Sequence, residues 1–126
     1  MLNEVTKQIM SMAEAAEQKK RNLDDAIKRL QDKRDKDKAR LVRDELALAK
    51  MTGESEVLKA AHMRKIVDET KLVMDEDHEL ADLNRKRADV DRKISEIKHW
   101  TAQSEYDDER ARAEALSYAS KVYNSL

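Results

Sequence analysis

The sequence predicts an all-α protein, built as a long antiparallel helical hairpin (a coiled coil) followed by a C-terminal helical extension or third helix. The chain of 126 residues contains no proline and a single glycine, and 42% of its residues are charged. Strand-joining turns draw on glycine and proline, whereas long helices are rich in alanine, leucine and charged residues. A net charge of −1 and periodic apolar residues distinguish the chain from disordered sequences.

The first helix is predicted over about residues 2–51. Apolar residues recur along it at alternating steps of three and four, the spacing that brings two helices together. This stripe weakens in the charged stretch after Leu30 and resumes at Leu41. We call the line of contact between the two helices the hairpin seam. The residues of the first helix expected at this seam are Ile9, Met12 and Leu23.

A turn is predicted at residues 52–55, around the only glycine, Gly53. Glycine often takes the left-handed conformation just past a helix end, and Thr52 or Ser55 can cap the next helix by accepting an amide hydrogen bond. The alternative is one continuous helix through Gly53, at a cost of about 1 kcal/mol relative to alanine. That alternative would make the chain a parallel coiled coil.

A second apolar stripe predicts a helix over about residues 56–102. It begins with Leu58 and Met63 and keeps helical spacing to the end of the segment. A helix of this length matches the first one, as a hairpin requires. The residues expected at its seam are Leu83, Val90, Ile94 and Ile97.

The two predicted helices carry opposite charge where the hairpin brings them together. Residues 28–43 contain eight basic and three acidic residues, a net charge of +5, and residues 68–82 contain seven acidic and one basic, a net charge of −6. Reversal at Gly53 lays these segments side by side, with Arg29 near Asp77. Exposed ion pairs contribute only about 0.2–1 kcal/mol each, so their expected role is to set register and orientation.

The last 27 residues hold all four aromatic side chains and predict an amphipathic helix over about residues 105–125. The pair Ser104 and Asp107 forms an S-x-x-D capping signature, which favours a break before this helix. The alternative is one helix that continues the second. Because tyrosine and tryptophan are enriched at interface hot spots, we predict that partners bind here; the other interpretation is packing within a three-helix or dimeric bundle. The predicted partner-binding residues are Trp100, Tyr106, Leu116 and Tyr123.

No catalytic residue, cofactor or metal site is predicted. The sequence has no glycine-rich phosphate loop and no nucleophile motif, and its lack of cysteine excludes disulfides and thiolate ligands. Glu96 and His99 have the spacing of a helical metal-ligand pair, but no second helix repeats it. The histidines, including His62 and His78, lie among charged neighbours and are predicted to be solvated.

We therefore expect a single domain over residues 1–126 that acts as a non-enzymatic assembly or adaptor protein. Its partners are expected to be proteins, including copies of itself, with a dimer favoured. One alternative is a chaperone that shields helical or unfolded client segments, and another is a parallel coiled-coil spacer of a viral or secretion apparatus. Nucleic acid is disfavoured because aspartates interrupt the basic stretch. No apolar run is long enough for a membrane span and no signal-peptide pattern opens the chain, so a cytoplasmic location is expected.

Overall fold

A computed structural model describes residues 2–126 and contains three helices within that range. Helix α1 spans Glu4–Ala49 (46 residues), α2 spans Glu56–Ser104 (49 residues) and α3 spans Glu109–Asn124 (16 residues). No strand occurs among the residues from 2 to 126. The prediction of an all-α fold with a helical hairpin and a third helix is confirmed.

The break between α1 and α2 lies at the glycine. Gly53 has a φ of +77°, in the left-handed region that only glycine adopts without a steric cost. The Oγ of Ser55 accepts a hydrogen bond from the backbone amide of Leu58 at 3.2 Å, and thereby caps the start of α2. The alternative of one continuous helix through Gly53 is therefore wrong.

The helices contribute to two compact units, which are described separately. The terminal unit comprises the residues up to Asp25 together with Asn84–Leu126, and the turn unit comprises Ala26–Leu83. Segments of α1 and α2 take part in both, whereas α3 belongs to the terminal unit. The prediction of one domain over residues 1–126 stays a prediction.

In the terminal unit, α3 folds back and shares one apolar core with α1 and α2. Ala115 and Ala119 of α3 are fully buried, and such small side chains allow a helix to approach its neighbours closely. The alternative in which the tail continues α2 as one helix is therefore wrong. The buried residues of this core are Ile9, Ala13, Ala16, Val90, Ile94, Ile97, Ala115 and Ala119.

The cap of α3 differs from the predicted one. Asp108 is the N-cap residue, and its carboxylate accepts a hydrogen bond from the amide of Arg110 at 3.0 Å. Ser104 instead remains in α2, fully buried, where its hydroxyl donates to the carbonyl of Thr101 and is 2.8 Å from the hydroxyl of Thr6. Because these core contacts occupy its hydroxyl, the prediction that Ser104 caps the last helix is wrong.

The register of the hairpin is displaced by about five residues from the predicted one. In the turn unit, Asp77 pairs with Arg34 at 2.8 Å and not with Arg29. In the terminal unit, Lys20 pairs with Asp91 at 2.7 Å, which is the same displacement. Polar side chains occupy part of the seam, so the spacing of apolar residues does not by itself fix the register.

Replacing Ala119 with leucine should destabilise the terminal unit by about 1–3 kcal/mol, because the added atoms overpack the contact between α3 and its neighbours. Urea denaturation would be followed by far-ultraviolet circular dichroism and by emission of Trp100, the only tryptophan. The control is Ala113→Leu, at an exposed position of α3, which should change stability by less than about 0.5 kcal/mol. Equal losses in the two variants would show that α3 does not pack through Ala119.

Candidate protein-docking surface

Two of the four predicted partner-binding residues lie inside the terminal unit. Trp100 is half-buried and stacks on Tyr118, with ring centroids 4.8 Å apart and an angle of 18° between the rings. Leu116 is also half-buried and packs against the same core. Much of their apolar surface is therefore already covered by contacts between α2 and α3.

The other two, Tyr106 and Tyr123, are exposed. Tyr106 lies between α2 and α3, and Tyr123 lies near the end of α3. No ring contact joins either tyrosine to another aromatic residue in the part of the chain that the structure describes. A role for these four residues in partner binding stays a prediction.

The predicted seam residues are divided between the two units. Those of the terminal unit pack in or against its core, with Met12 and Leu23 half-buried at its margin. Leu83 is half-buried in the turn unit. The fully enclosed members are Ile9, Val90, Ile94 and Ile97.

The seam of the turn unit alternates apolar and acidic side chains. On α1, Asp37, Leu41 and Asp44 are buried at steps of four and three residues. On α2, Val73 and Glu76 are buried with the same spacing. The 3–4 periodicity of a helix–helix seam therefore continues through carboxylates, which a search for apolar residues does not detect.

These carboxylates form two pairs across the seam, Asp44 with Glu69 and Asp37 with Glu76. Lysines lie at the edges: the Nζ of Lys65 is 3.5 Å from Asp44, and the Nζ of Lys33 is 3.6 Å from Glu76. Several buried oxygens still lack a hydrogen-bond donor. They are Oδ2 of Asp37, Oδ2 of Asp44 and both carboxylate oxygens of Glu69 and of Glu76.

The pairing changes the protonation of both glutamates. Burial, together with the neighbouring Asp37, raises the pKa of Glu76. A hydrogen bond to Asp44 raises the pKa of Glu69, and the same hydrogen bond lowers the pKa of Asp44. Two buried carboxylates in contact repel strongly when both are ionised, which favours a proton shared within each pair.

His62 belongs to this seam as well. It is half-buried, and its Nε2 donates to the backbone carbonyl of Asp44 at 2.9 Å. The prediction that His62 is solvated is therefore wrong, because it lies one turn before Ile66 on the inward face of α2. Between residues 2 and 126, no group of three or more histidine, aspartate or glutamate side chains is placed to hold a metal ion.

Exposed apolar side chains are concentrated in the turn unit. Among the described residues, thirteen large hydrophobic side chains are exposed, and eight of them lie in this unit. The turn unit contains only α1 and α2 segments, so no third helix of the unit covers them. The eight are Val42, Leu46, Val57, Leu58, Met63, Val67, Leu72 and Met74.

Four residues on α2 form one continuous face, which we call the Met63–Met74 stripe: Met63, Val67, Thr70 and Met74. Met63 is 55% exposed, Val67 65% and Met74 55%. A shallow groove of about 360 Å³ runs along this face. Contiguous exposed apolar surface of this kind marks protein contact sites. The groove is lined by Ile66, Val67, Thr70, Lys71, Met74, Asp75 and His78.

The sequence pattern assigned Leu58 and Met63 to the hairpin seam, and this assignment is wrong. Both side chains are more than half exposed. The residues of α2 that lie at the seam in this region are instead Ile66 and the buried Glu76. Met63 lies on a different face of the helix. If polar residues such as Glu76 are included in the pattern of three- and four-residue steps, the inward face of α2 is distinguished from the face that carries Met63.

No protein-family model, curated protein or solved structure matches the chain. No helix within residues 2–126 combines the length and apolar character that crossing a membrane requires. Function is therefore inferred from the surfaces of the two units.

Replacing Glu76 with glutamine should stabilise the turn unit at neutral pH by about 1 kcal/mol, because the amide supplies a donor without a buried charge. Because the pKa of Glu76 is raised in the folded state, the folded protein binds this proton more tightly than the unfolded chain does. The resulting contribution to the free energy of unfolding is fully present below the unfolded-state pKa and is lost as the pH rises through the folded-state pKa. The gain of the variant over the wild type should therefore grow as the pH rises from about 4 to neutral.

Urea denaturation of both proteins across this pH range measures the effect. Glu79→Gln is the matched control, since Glu79 is exposed on the same helix. A gain that is independent of pH, or equal in the two variants, would show that Glu76 is not held protonated at the seam.

Proposed function

We propose that the protein is a non-enzymatic, cytoplasmic coiled-coil assembly or adaptor protein, and that its turn unit binds protein partners through the Met63–Met74 stripe. The observation that carries the proposal is the exposure of the three apolar side chains Met63, Val67 and Met74 on one helix face. Burying such side chains fully is worth about 1.5–3 kcal/mol each. Cover by a partner helix would therefore supply several kilocalories per mole of binding free energy.

Helix-on-helix packing is the recognition mode that fits this surface. The stripe residues follow steps of four, three and four, the spacing at which an amphipathic helix presents its anchors. The groove is shallow and open along a single helix, in contrast to the enclosed pockets that bind small substrates. The acidic side chains of the seam pair with one another and with lysines, and none pairs with a nucleophile. These features favour binding over catalysis.

The terminal unit has a different role in this proposal. Its three helices enclose a core with Ile9 and Ile97 fully buried, and ion pairs such as Glu17 with Lys98 at 2.6 Å join α1 to α2. It therefore holds the ends of the hairpin together. The turn unit has two helices and an acidic seam. In this proposal a partner covers the apolar side chains that these two helices leave exposed.

Replacing Val67 and Met74 together with glutamine should remove binding of the protein's partners. Loss of about 1–3 kcal/mol of apolar burial corresponds to a drop in affinity of tenfold or more. The measurement is affinity capture from the source cell with the full chain, followed by mass spectrometry and by titration of the proteins captured. Circular dichroism would first establish that the variant keeps its helices.

The matched control replaces Leu58 and Leu72 with glutamine, because both are exposed on α2 but lie outside the stripe. It should retain the captured proteins. If the wild type, the stripe variant and the control all capture the same proteins with the same affinity, the stripe is not the docking surface.

A chaperone for exposed client segments is the second candidate. Methionine at two of the four stripe positions favours it, since flexible methionine side chains adapt to many apolar partners. A chaperone would suppress aggregation of an unfolded client, and the stripe variant would lose that effect. An assembly protein with defined partners would leave client aggregation unchanged.

A further inference from the structure

We infer that the occupant of the Met63–Met74 stripe is a second copy of this chain, lying antiparallel to the first across the same stripe. This inference rests on the proposed function, because it names the partner of the docking surface described above. It follows from the order of charged side chains along α2.

The charges beside the stripe alternate in sign along the helix. Arg64 and Lys71 are basic, Asp68 and Asp75 are acidic, and all four are exposed. An antiparallel copy reverses this order, so Arg64 of one chain lies near Asp75 of the other, and Lys71 lies near Asp68. A parallel copy in register would set Arg64 against Arg64 and Asp75 against Asp75, which is repulsive. Electrostatics therefore select the antiparallel orientation.

The apolar residues are self-complementary in the same orientation. When Val67 of one copy lies opposite Met74 of the other, two-fold symmetry repeats the contact, and the two apolar pairs lie on either side of the axis, about 10 Å apart. The two-fold axis then passes between Thr70 and Lys71. An isologous interface requires a patch that complements itself in this way.

The ends of the stripe permit close approach of the two copies. Ala60 lies one turn before Met63 and Ala81 lies two turns after Met74, and both are exposed. In the antiparallel register Ala60 of one copy lies opposite Ala81 of the other. Small residues at these positions allow two helices to pack at the usual separation of about 8–10 Å. A partner of uniform charge would be repelled by the residues of like charge beside the stripe, so nucleic acid and a purely basic or acidic helix fit it less well.

Cysteine cross-linking of the full chain tests the orientation, since the chain has no native cysteine. Thr70→Cys should form a disulfide between two copies, because the two positions lie close to the two-fold axis. Met63→Cys should not, because its two copies lie about 15 residues, or about 22 Å, apart along the helix, and a disulfide needs Cα atoms within about 7 Å. A mixture of Val67→Cys and Met74→Cys chains should cross-link to each other.

A parallel pair would instead cross-link Met63→Cys as readily as Thr70→Cys, and that result would overturn the antiparallel arrangement. Light scattering coupled to size exclusion gives the second readout. The wild type should be dimeric at about 10 μM, and the Val67→Gln, Met74→Gln variant should dissociate at least tenfold more readily. The Leu58→Gln, Leu72→Gln control should dissociate like the wild type.

A wild-type monomer at about 100 μM with no cross-link at Thr70→Cys would show that a second copy is not the occupant. The proposed function would still stand if other proteins are captured through the stripe. The proposed function would be contradicted by a different result, namely that capture of proteins from the source cell does not depend on Val67 and Met74.

Discussion

The buried pairing of Asp44 with Glu69, repeated one heptad away by Asp37 with Glu76, is the interaction on which the turn unit depends. Carboxylates at these positions reduce the apolar area that α1 and α2 bury against each other. Their contact is eased by lysines at the edges and by the raised pKa of Glu69 and of Glu76, which favours a proton shared within each pair. The two-helix seam consequently has polar and apolar layers in alternation.

An acidic seam explains why this unit carries so much exposed apolar surface. Met63, Val67 and Met74 cannot enter the seam, because the inward positions of α2 are taken by Ile66, Glu69, Val73 and Glu76. In the terminal unit, α3 packs on the apolar side chains of α1 and α2, and its alanines complete a three-helix core. The turn unit has two helices, and an antiparallel second copy would supply the missing cover. The alternating charges along α2 that would orient the copy also disfavour a parallel copy in register.

The sequence predicted the parts of the fold that depend on strong local signals. Gly53 marks the turn because it is the only glycine in the sequence and glycine adopts a positive φ at low cost, and Ser55 marks the start of α2. The sequence does not predict the return of α3, since Ala115 and Ala119 are too small to form a visible apolar stripe. The sequence points to Trp100 and the tyrosines as the docking surface because aromatic residues are enriched at interfaces.

The Met63–Met74 stripe was missed for a different physical reason. Buried Glu69 and Glu76 look like surface residues in a sequence, because burial of a carboxylate depends on the group across the seam. Without them, Met63 took an inward position in the predicted pattern. Carboxyl ¹³C chemical shifts of the full chain, followed through an acid titration by nuclear magnetic resonance, test this pairing most directly. Glu69 and Glu76 should titrate above the ordinary glutamate pKa of about 4.3, whereas midpoints at that value for both would contradict a shared proton in the seam.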